Sequence, residues 1–281
     1  MKKSKVMLFG AMALTAGLAL AACGSSQSSN ADKTYSYIFV NNPDTLDYIT
    51  STRDSTSSIT TNLIDGLLEN DQYGNLIPSM AESWTVSKDG LTYTYKIRQG
   101  AKWYTSEGEE YADVTAHDFV TGLKYAADKK AENLYLVQDS IKGLADYVEG
   151  KSSDFGTVGV KAVDDYTLQY TLNQPETYWN SKTTASILSP VNEAFLKSKG
   201  DDFGSVTPSS ILSNGPYLFK SFTSKSLIEF DKNPNYWDKD NVKIEKVKLS
   251  FFDGSDQDSI TRGFLEGNYT DGRIFPTSSV F

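Results

Sequence analysis

The chain has 281 residues, with 36 acidic and 27 basic side chains and a formal net charge of −9. Such an acidic chain lacks the basic patches that nucleic-acid phosphates require, so no nucleic-acid partner is expected. The length suits one large domain or two ordinary ones, and the single cysteine, Cys23, excludes a disulfide bond within one chain.

The N-terminus has the pattern of a lipoprotein signal peptide. Three lysines among the first five residues precede an apolar run at 6–20, which is short for a membrane span. Leu20-Ala21-Ala22-Cys23 then resembles a bacterial lipobox, where the chain is cut before a lipidated cysteine. The alternatives are an ordinary signal peptide with a stray cysteine, or a membrane-spanning helix. We predict a signal peptide at 1–22, lipidation of Cys23 and a flexible polar tether at 23–32.

The first predicted strand runs from Tyr35 to Val40 and is apolar at nearly every position, which predicts that both of its faces are covered. A polar segment from Asn41 to Ser58 follows and leads into a predicted helix. The residues predicted to face inward are Ile59, Leu63, Ile64, Leu67 and Leu68. A polar loop after a buried strand is where open α/β sheets usually bind ligands, although a plain solvated loop has the same composition.

A β-hairpin is predicted around Lys88-Asp89-Gly90, because Asp-Gly tolerates the positive φ that a tight turn needs. Residues 91–98 of its return strand alternate strictly between apolar and polar side chains. Trp84, on the first strand, is predicted to belong to the core. Further along, Thr115 and Asp118 have the spacing of a capping box at the start of a helix that buries Phe119 and Leu123.

The later elements alternate between helices and hairpins. Helices are predicted from Asn133 to Gly150, from Ser189-Pro190 to Gly200, and after Ser255. Hairpins are predicted to turn at 164–165 and at 223–226, and the next strand carries Val247, Leu249 and Phe251. The pattern therefore predicts a mixed α/β fold.

The residue inventory argues against an enzyme. His117 is the only histidine, so a Ser-His-Asp triad would have to include it, and it lies at a position that is routinely exposed. One histidine and one cysteine leave too few ligands for zinc. The residues Asp253, Asp256 and Asp258 do not have the spacing of a calcium loop. We predict neither a metal site nor a cofactor.

Several motifs resemble those of the extracytoplasmic solute-binding proteins, family 5, of peptide ABC importers. They are P-x-T-L-D at 43–47, A-E-S-W at 81–84, D-G-L-T-Y-T at 89–94, R-x-G-A-K-W at 98–103, T-A-x-D-F at 115–119, G-V-K-A-x-D-D-x-T-L at 159–168, N-G-x-Y at 214–217 and N-P-x-Y-W at 233–237. Their order is the family's order, and the overall sequence is most similar to the Ami/Ali-type oligopeptide-binding lipoproteins of streptococci.

The resemblance implies a periplasmic-binding-protein type II-like mixed α/β fold, with two lobes and a domain inserted into the first. Lobe one would comprise residues 33–58 and 185–252, and the inserted domain residues 59–184. Residues 253–281 would begin a second lobe that is largely missing, because family members are roughly twice this length. We therefore expect an N-terminal fragment or a truncated reading frame.

By the same resemblance, the expected peptide-binding residues are Thr52, Arg53, Asp54 and Ser55 in the first lobe, Tyr135 in the inserted domain, and Asn214, Gly215 and Pro216 in a loop near the cleft. For each set a purely structural role is the alternative. The expected partners are oligopeptides, the ABC transporter permease and, through a lipid on Cys23, the extracytoplasmic face of the cell membrane. A monomer is expected. The alternative function is a surface adhesin or signalling module that has lost transport.

Overall fold

The computed structural model describes residues 33–272. Cys23, the predicted signal peptide and the tether lie outside these residues, as does the end of the predicted second-lobe segment, 273–281. Within 33–272, no helix is both long enough and apolar enough to span a bilayer.

The strands of the described residues are β1 (Thr34–Phe39), β2 (Leu68–Asn70), β3 (Leu76–Pro78), β4 (Ala81–Val86), β5 (Thr92–Ile97), β6 (Lys102–Tyr104), β7 (Glu110–Asp113), β8 (Val160–Asp164), β9 (Thr167–Thr171), β10 (Tyr217–Thr223), β11 (Leu227–Lys232) and β12 (Lys246–Phe251). The α-helices are α1 (Asp54–Thr60), α2 (Ala116–Asp128), α3 (Leu144–Val148), α4 (Trp179–Lys182), α5 (Glu193–Lys199) and α6 (Asp258–Leu265). Short 3₁₀ helices lie at Glu132–Leu136, Phe155–Thr157, Ser186–Leu188, Gly200–Asp202 and Pro208–Ser210.

One four-stranded sheet has the order β1-β12-β11-β10. β1 pairs in parallel with β12, and the other two pairs are antiparallel, so the sheet is mixed. The β10–β11 hairpin is where the sequence predicts it. All four strands come from the two segments predicted to build lobe one.

A second four-stranded sheet has the order β4-β5-β9-β8 and is antiparallel throughout. The two predicted hairpins of this region are confirmed, and Tyr93, Tyr95 and Ile97 of β5 are buried on one face. Trp84 is only half-buried, and it packs against the edge of the core. Helix α2 covers this sheet, and its predicted capping box is present: Asp118 Oδ2 accepts from the Thr115 amide at 2.8 Å.

One hydrophobic cluster connects the elements of both sheets. Its largest fully buried side chains include Trp103, Trp179, Tyr95, Tyr170 and Phe119. The two larger sheets divide the chain as the predicted domains do, while the core continues between them. The boundaries of lobe one and the inserted domain stay a prediction.

Two predictions at the N-terminal end need correction. β1 is half-buried at all six positions instead of covered on both faces, and the neighbouring β12 is half-buried in the same way, so this part of the sheet lacks a complete covering layer within residues 33–272. Helix α1 begins at Asp54, so Asp54 and Ser55 belong to its first turn instead of the preceding loop. The helix ends at Thr60, yet Ile59, Leu63 and Leu67 are buried as predicted.

The single helix predicted from Asn133 to Gly150 is wrong. A 3₁₀ helix, a run of turns and α3 replace it, and Gly143 precedes α3 with φ +72°. A Cβ at Gly143 would lie 2.8 Å from the Thr157 carbonyl oxygen, so this close approach requires glycine. The apolar residues have helical spacing because successive turns, and not one helix, bury their side chains against the same core.

Two other helices begin later than predicted. α5 begins at Glu193 because the Asn192 side chain, not Ser189-Pro190, accepts from the Phe195 amide at 3.0 Å. α6 begins at Asp258, and Ser255 instead donates to the Asp253 carboxylate. Both signals occur a few residues from the true start, where short polar side chains form turns as readily as caps.

Candidate functional site

A cleft of about 710 Å³ lies where the end of β1 meets the start of α1. Its lining includes Phe39, Val40, Asp44, Arg53, Asp54 and Ser55. Three of the four expected first-lobe binding residues therefore face one cavity. A smaller pocket of about 310 Å³, lined by Asp47, Tyr125 and Asp201 among others, contains none of the expected residues.

The segment entering α1 presents both charge and open main chain. Arg53 Nε lies 2.8 Å from Asp44 Oδ2, and both side chains are more than half exposed. Neither the amide nor the carbonyl of Thr52 makes a hydrogen bond within the described residues. Thr52 is exposed, so its main chain is available to another extended chain.

The structure brings the expected inserted-domain residue near this segment without placing it in the cleft lining. Tyr135 lies on the 3₁₀ helix Glu132–Leu136, and its side chain is 75% exposed. Glu132 of the same helix accepts a hydrogen bond from Thr52 Oγ1 at 3.2 Å. Tyr135 therefore lies on the same short helix as Glu132, the residue that contacts Thr52.

Asn214, Gly215 and Pro216 lie elsewhere, in packed surroundings. The buried Asn214 side chain accepts from the Asp65 amide at 2.9 Å and donates to the Asp65 carbonyl at 3.2 Å. The Gly215 amide donates to the Leu63 carbonyl at 2.8 Å. Pro216 accepts from the Asn233 amide. The polar groups of these three residues therefore bond to other parts of the chain, and none of the three residues lines the cleft.

Asp47 is a contributor that the sequence interpretation did not select. Its Oδ1 accepts from the amides of Ile49 and Thr50, and its Oδ2 accepts from the Tyr125 hydroxyl on α2 at 2.9 Å. Burial, reinforced by the Asp47 carboxylate, raises the pKa of Tyr125 above its ordinary value, so the phenol remains a donor. Asp47 thus fixes the turn that leads to Thr52. In the sequence, this role of Asp47 was indicated by its place as the last residue of the P-x-T-L-D motif.

Gly204 holds the same turn from the other direction. Its carbonyl accepts from the Leu46 amide at 2.5 Å and from Thr45 Oγ1 at 2.8 Å. Its φ is +73°, and a Cβ there would lie 2.5 Å from the Asp47 amide nitrogen. The turn at Asp47 therefore packs directly against the backbone of Gly204, and any larger residue at position 204 would displace it.

The apolar part of the cleft was also missed as a binding wall. Val40 is exposed, and Phe39 and Leu249 line the cleft from adjacent strands. The apolar run of β1 was the available signal, but it was assigned to strand packing.

Groups suited to catalysis or metal binding do not converge on this cleft. His117 Nε2 lies 3.3 Å from Asp165 Oδ1, with both side chains more than 60% exposed and neither in the cleft lining. In the part of the chain that the structure describes, no three His, Cys, Asp or Glu residues are arranged to hold a metal ion.

The sequence and the fold are similar to those of known proteins. The oligopeptide-binding protein AliB of Streptococcus pneumoniae is 63% identical over 279 residues, which are 99% of this chain and 42% of that protein. The oligopeptide-binding protein SarA of Streptococcus gordonii is 62% identical over 289 residues, covering 100% of this chain and 44% of SarA.

A solved structure gives the same result for the fold. The structure of Listeria monocytogenes OppA bound to peptide matches with a TM-score of 0.76 and 29% identity, over 84% of this chain and 45% of that one. The predicted mixed α/β fold class is thereby confirmed. The chain spans less than half the length of the relatives that it matches.

The sequence model of the family described as "Bacterial extracellular solute-binding proteins, family 5 Middle" matches residues 75–281. This match covers most of the chain and agrees with the relatives and with the motifs. The chain belongs to the family 5 bacterial extracellular solute-binding proteins.

Proposed function

We propose that this chain captures extracellular oligopeptides, as part of a lipid-anchored substrate-binding protein that delivers them to an ABC transporter permease. The observation that carries the proposal is the unpaired main chain of Thr52 beside a cleft of about 710 Å³. An extended peptide can pair its own main chain with such an edge, which gives affinity without dependence on sequence. The protein acts by binding, without a cofactor and without chemical change of the peptide.

The expected binding residues take different parts in this proposal. Thr52 and Arg53 contact the peptide main chain and termini, while Asp54 and Ser55 line the adjoining wall. Tyr135 supplies an exposed aromatic surface near the Glu132 contact. Asn214, Gly215 and Pro216 act indirectly, because their polar groups hold the chain on either side of Asp65.

The opposite wall of the clamp belongs to a second lobe, and closure of the two lobes buries the peptide. One lobe covers only one side of a peptide. We therefore expect the 281-residue chain alone to bind with a dissociation constant on the order of 1 mM.

Main-chain capture is tested with modified peptides, which leave the protein intact. NMR titration of the chain should give similar dissociation constants for an uncharged peptide and its scrambled sequence. Methylation of individual peptide amides should weaken binding at one position or more, because the methyl group removes a donor. Binding that depends on side-chain order and is insensitive to every N-methyl group would contradict the proposal.

Two variants of Thr52 test whether its amide donates to the peptide. Thr52→Pro removes the amide donor and should weaken binding, whereas Thr52→Ala keeps the amide and should leave binding nearly unchanged. Melting temperatures of both variants show whether the fold is retained. Equal affinity of a folded Thr52→Pro variant would exclude the Thr52 amide as a donor to the peptide.

The anchor and the delivery step need experiments in cells. Cys23→Ala should abolish incorporation of a lipid label and release the protein from the membrane. Deletion of the gene should reduce uptake of a labelled oligopeptide. Unchanged uptake combined with lost attachment to host cells would favour the adhesin or signalling alternative.

A further inference from the structure

The cleft has an excess of negative charge on its rim. Asp44 and Asp54 both line it, together with the single cation Arg53. Arg53 is paired with Asp44 at 2.8 Å. Within residues 33–272, the exposed Asp54 carboxylate makes no hydrogen bond or ion pair. The cleft therefore contains one carboxylate that no cation among residues 33–272 neutralises.

A third carboxylate lies next to the open main chain. Glu132 accepts from Thr52 Oγ1 at 3.2 Å, and this neutral hydroxyl is its partner in place of a cation within the described part of the chain. Three carboxylates and one guanidinium thus border the segment that the proposed function assigns to the peptide. A ligand with positive charge meets attraction there, and a ligand with negative charge meets repulsion.

The other wall of the cleft is apolar. Phe39, Val40 and Leu249 line it. Beside them on the same face of the sheet, the ring of Phe39 packs edge-on against that of Phe251, its partner on β12, with centroids 5.4 Å apart. This lateral contact limits movement of the Phe39 ring, and burial of the exposed Val40 under an apolar side chain of the ligand is favourable.

We infer that the cleft selects cationic peptides in which a basic group lies next to an apolar or aromatic side chain. This inference rests on the proposed function, because it assumes that a peptide occupies the cleft. The apolar side chain covers Val40 and Phe39, and the basic group lies near Asp54. A ligand with only one of these two features fills only one side of the cleft.

Coulomb's law in water gives the expected effect of peptide charge on the binding constant. One pair of exposed charges about 6 Å apart in water changes a binding constant about threefold. Peptides that differ by four charges should therefore differ by tenfold or more at low ionic strength. The difference should shrink as salt is raised from about 20 mM to about 500 mM, because the rim is exposed to solvent.

The first experiment compares three pentapeptides in NMR titrations of the full chain. The probes are Ala-Lys-Phe-Lys-Ala, Ala-Glu-Phe-Glu-Ala and Ala-Lys-Ala-Lys-Ala, all with blocked termini. We expect the first to bind about tenfold more tightly than the second and several-fold more tightly than the third. Equal binding of all three would overturn the charge selection while leaving peptide capture intact. Absence of binding by all three would overturn the proposed function itself.

The second experiment changes the charge of the rim in opposite directions. Asp54→Asn should lower the ratio of lysine-peptide to glutamate-peptide affinity about threefold or more. Arg53→Gln should raise the same ratio, because it leaves Asp44 unpaired, whatever main-chain contact with Arg53 both peptides lose. Glu193→Gln is the matched control, since Glu193 is an exposed carboxylate on α5 that does not line the cleft. A shift in the control as large as in Asp54→Asn would overturn the inference, because overall charge would then explain the preference.

Discussion

The hydroxyl of Tyr236 donates to Asp65 Oδ2 over 2.8 Å, although the two residues are 171 positions apart in the sequence. The indole of Trp237 donates to the same oxygen at 3.2 Å. Asn214 holds the main chain of Asp65 on both sides of its Cα. The N-G-x-Y and N-P-x-Y-W motifs therefore meet at one buried carboxylate that joins the predicted inserted domain to predicted lobe one.

Loss of the Tyr236 hydroxyl should destabilise the protein without affecting the cleft. Tyr236→Phe removes a buried donor to a carboxylate, which costs about 1–3 kcal/mol of unfolding free energy. Urea denaturation at pH 8 measures this change. Tyr73→Phe is the control, because Tyr73 is 80% exposed, and it should change the free energy of unfolding by less than about 0.5 kcal/mol. A Tyr236→Phe variant as stable as the control would show that Trp237 alone satisfies Asp65.

The same carboxylate should make stability depend on pH. Burial raises the pKa of Asp65 to about 6 from an ordinary 3.8, so the folded protein binds this proton more tightly than the unfolded chain. Its contribution to stability therefore increases by about 1 kcal/mol as the pH falls from about 7 to about 5, and is lost as the pH rises through 6.

Asp65→Asn removes that contribution, because an amide does not titrate although its oxygen still accepts from Tyr236 and Trp237. It also removes the Asp65 charge that, after burial, helps to raise the pKa of Glu69 to about 7. We expect the variant to have a smaller increase in unfolding free energy between about pH 7 and about pH 5 than the unsubstituted protein. Burial also raises the pKa of Asp118 to about 6, and this second contribution remains in both proteins. Identical pH profiles would mean that Asp65 has its ordinary pKa in the folded state.

Gly204 should be intolerant of any side chain. Gly204→Ala combines a positive φ with a contact of 2.5 Å between the new Cβ and the Asp47 amide nitrogen. Gly150→Ala is a matched control, since Gly150 has φ +78° with no atom within 4 Å of its Cβ position. The control should lose about 1 kcal/mol, and Gly204→Ala distinctly more, when both are measured by urea denaturation. Equal losses would show that the Asp47 turn moves aside easily.

The β-hairpins could be predicted from the sequence because their signals are local. Period-two alternation at 91–98 and an Asp-Gly turn specify one register, and burial of Tyr93, Tyr95 and Ile97 agrees with it. Helices were predicted less well. The spacing of Leu134, Val137, Ile141 and Leu144 is helical, but the Gly143 approach to Thr157 is a tertiary contact that no local pattern contains.

The candidate site divides in the same way. The segment at Thr52–Ser55 could be proposed from the sequence because the family resemblance and its position after a strand both indicate it, and its role in binding stays a prediction. The pairing of Arg53 with Asp44 and of Thr52 with Glu132 could not, because each depends on how distant turns approach. The resemblance places Asn214, Gly215 and Pro216 in a loop near the cleft, yet Asn214 and Gly215 bond to the backbone at Asp65 and Leu63.

The Tyr125 hydroxyl should influence peptide binding from outside the cleft. It donates to Asp47 Oδ2, and Asp47 orders the turn at Ile49 and Thr50 that leads to Thr52. Tyr125→Phe should lower the unfolding free energy by about 1 kcal/mol and weaken peptide binding several-fold, because the open main chain of Thr52 loses part of its support.

Tyr147→Phe provides the control for this long-range effect. The Tyr147 hydroxyl donates to Asp128 Oδ1 at 2.7 Å, at the end of the same helix that carries Tyr125, but it does not contact the Asp47 turn. The two variants should lose stability to a similar degree, and only Tyr125→Phe should also lose affinity in the NMR titration. Equal losses of affinity would indicate that general loosening of α2, and not the Asp47 turn, positions the segment for binding.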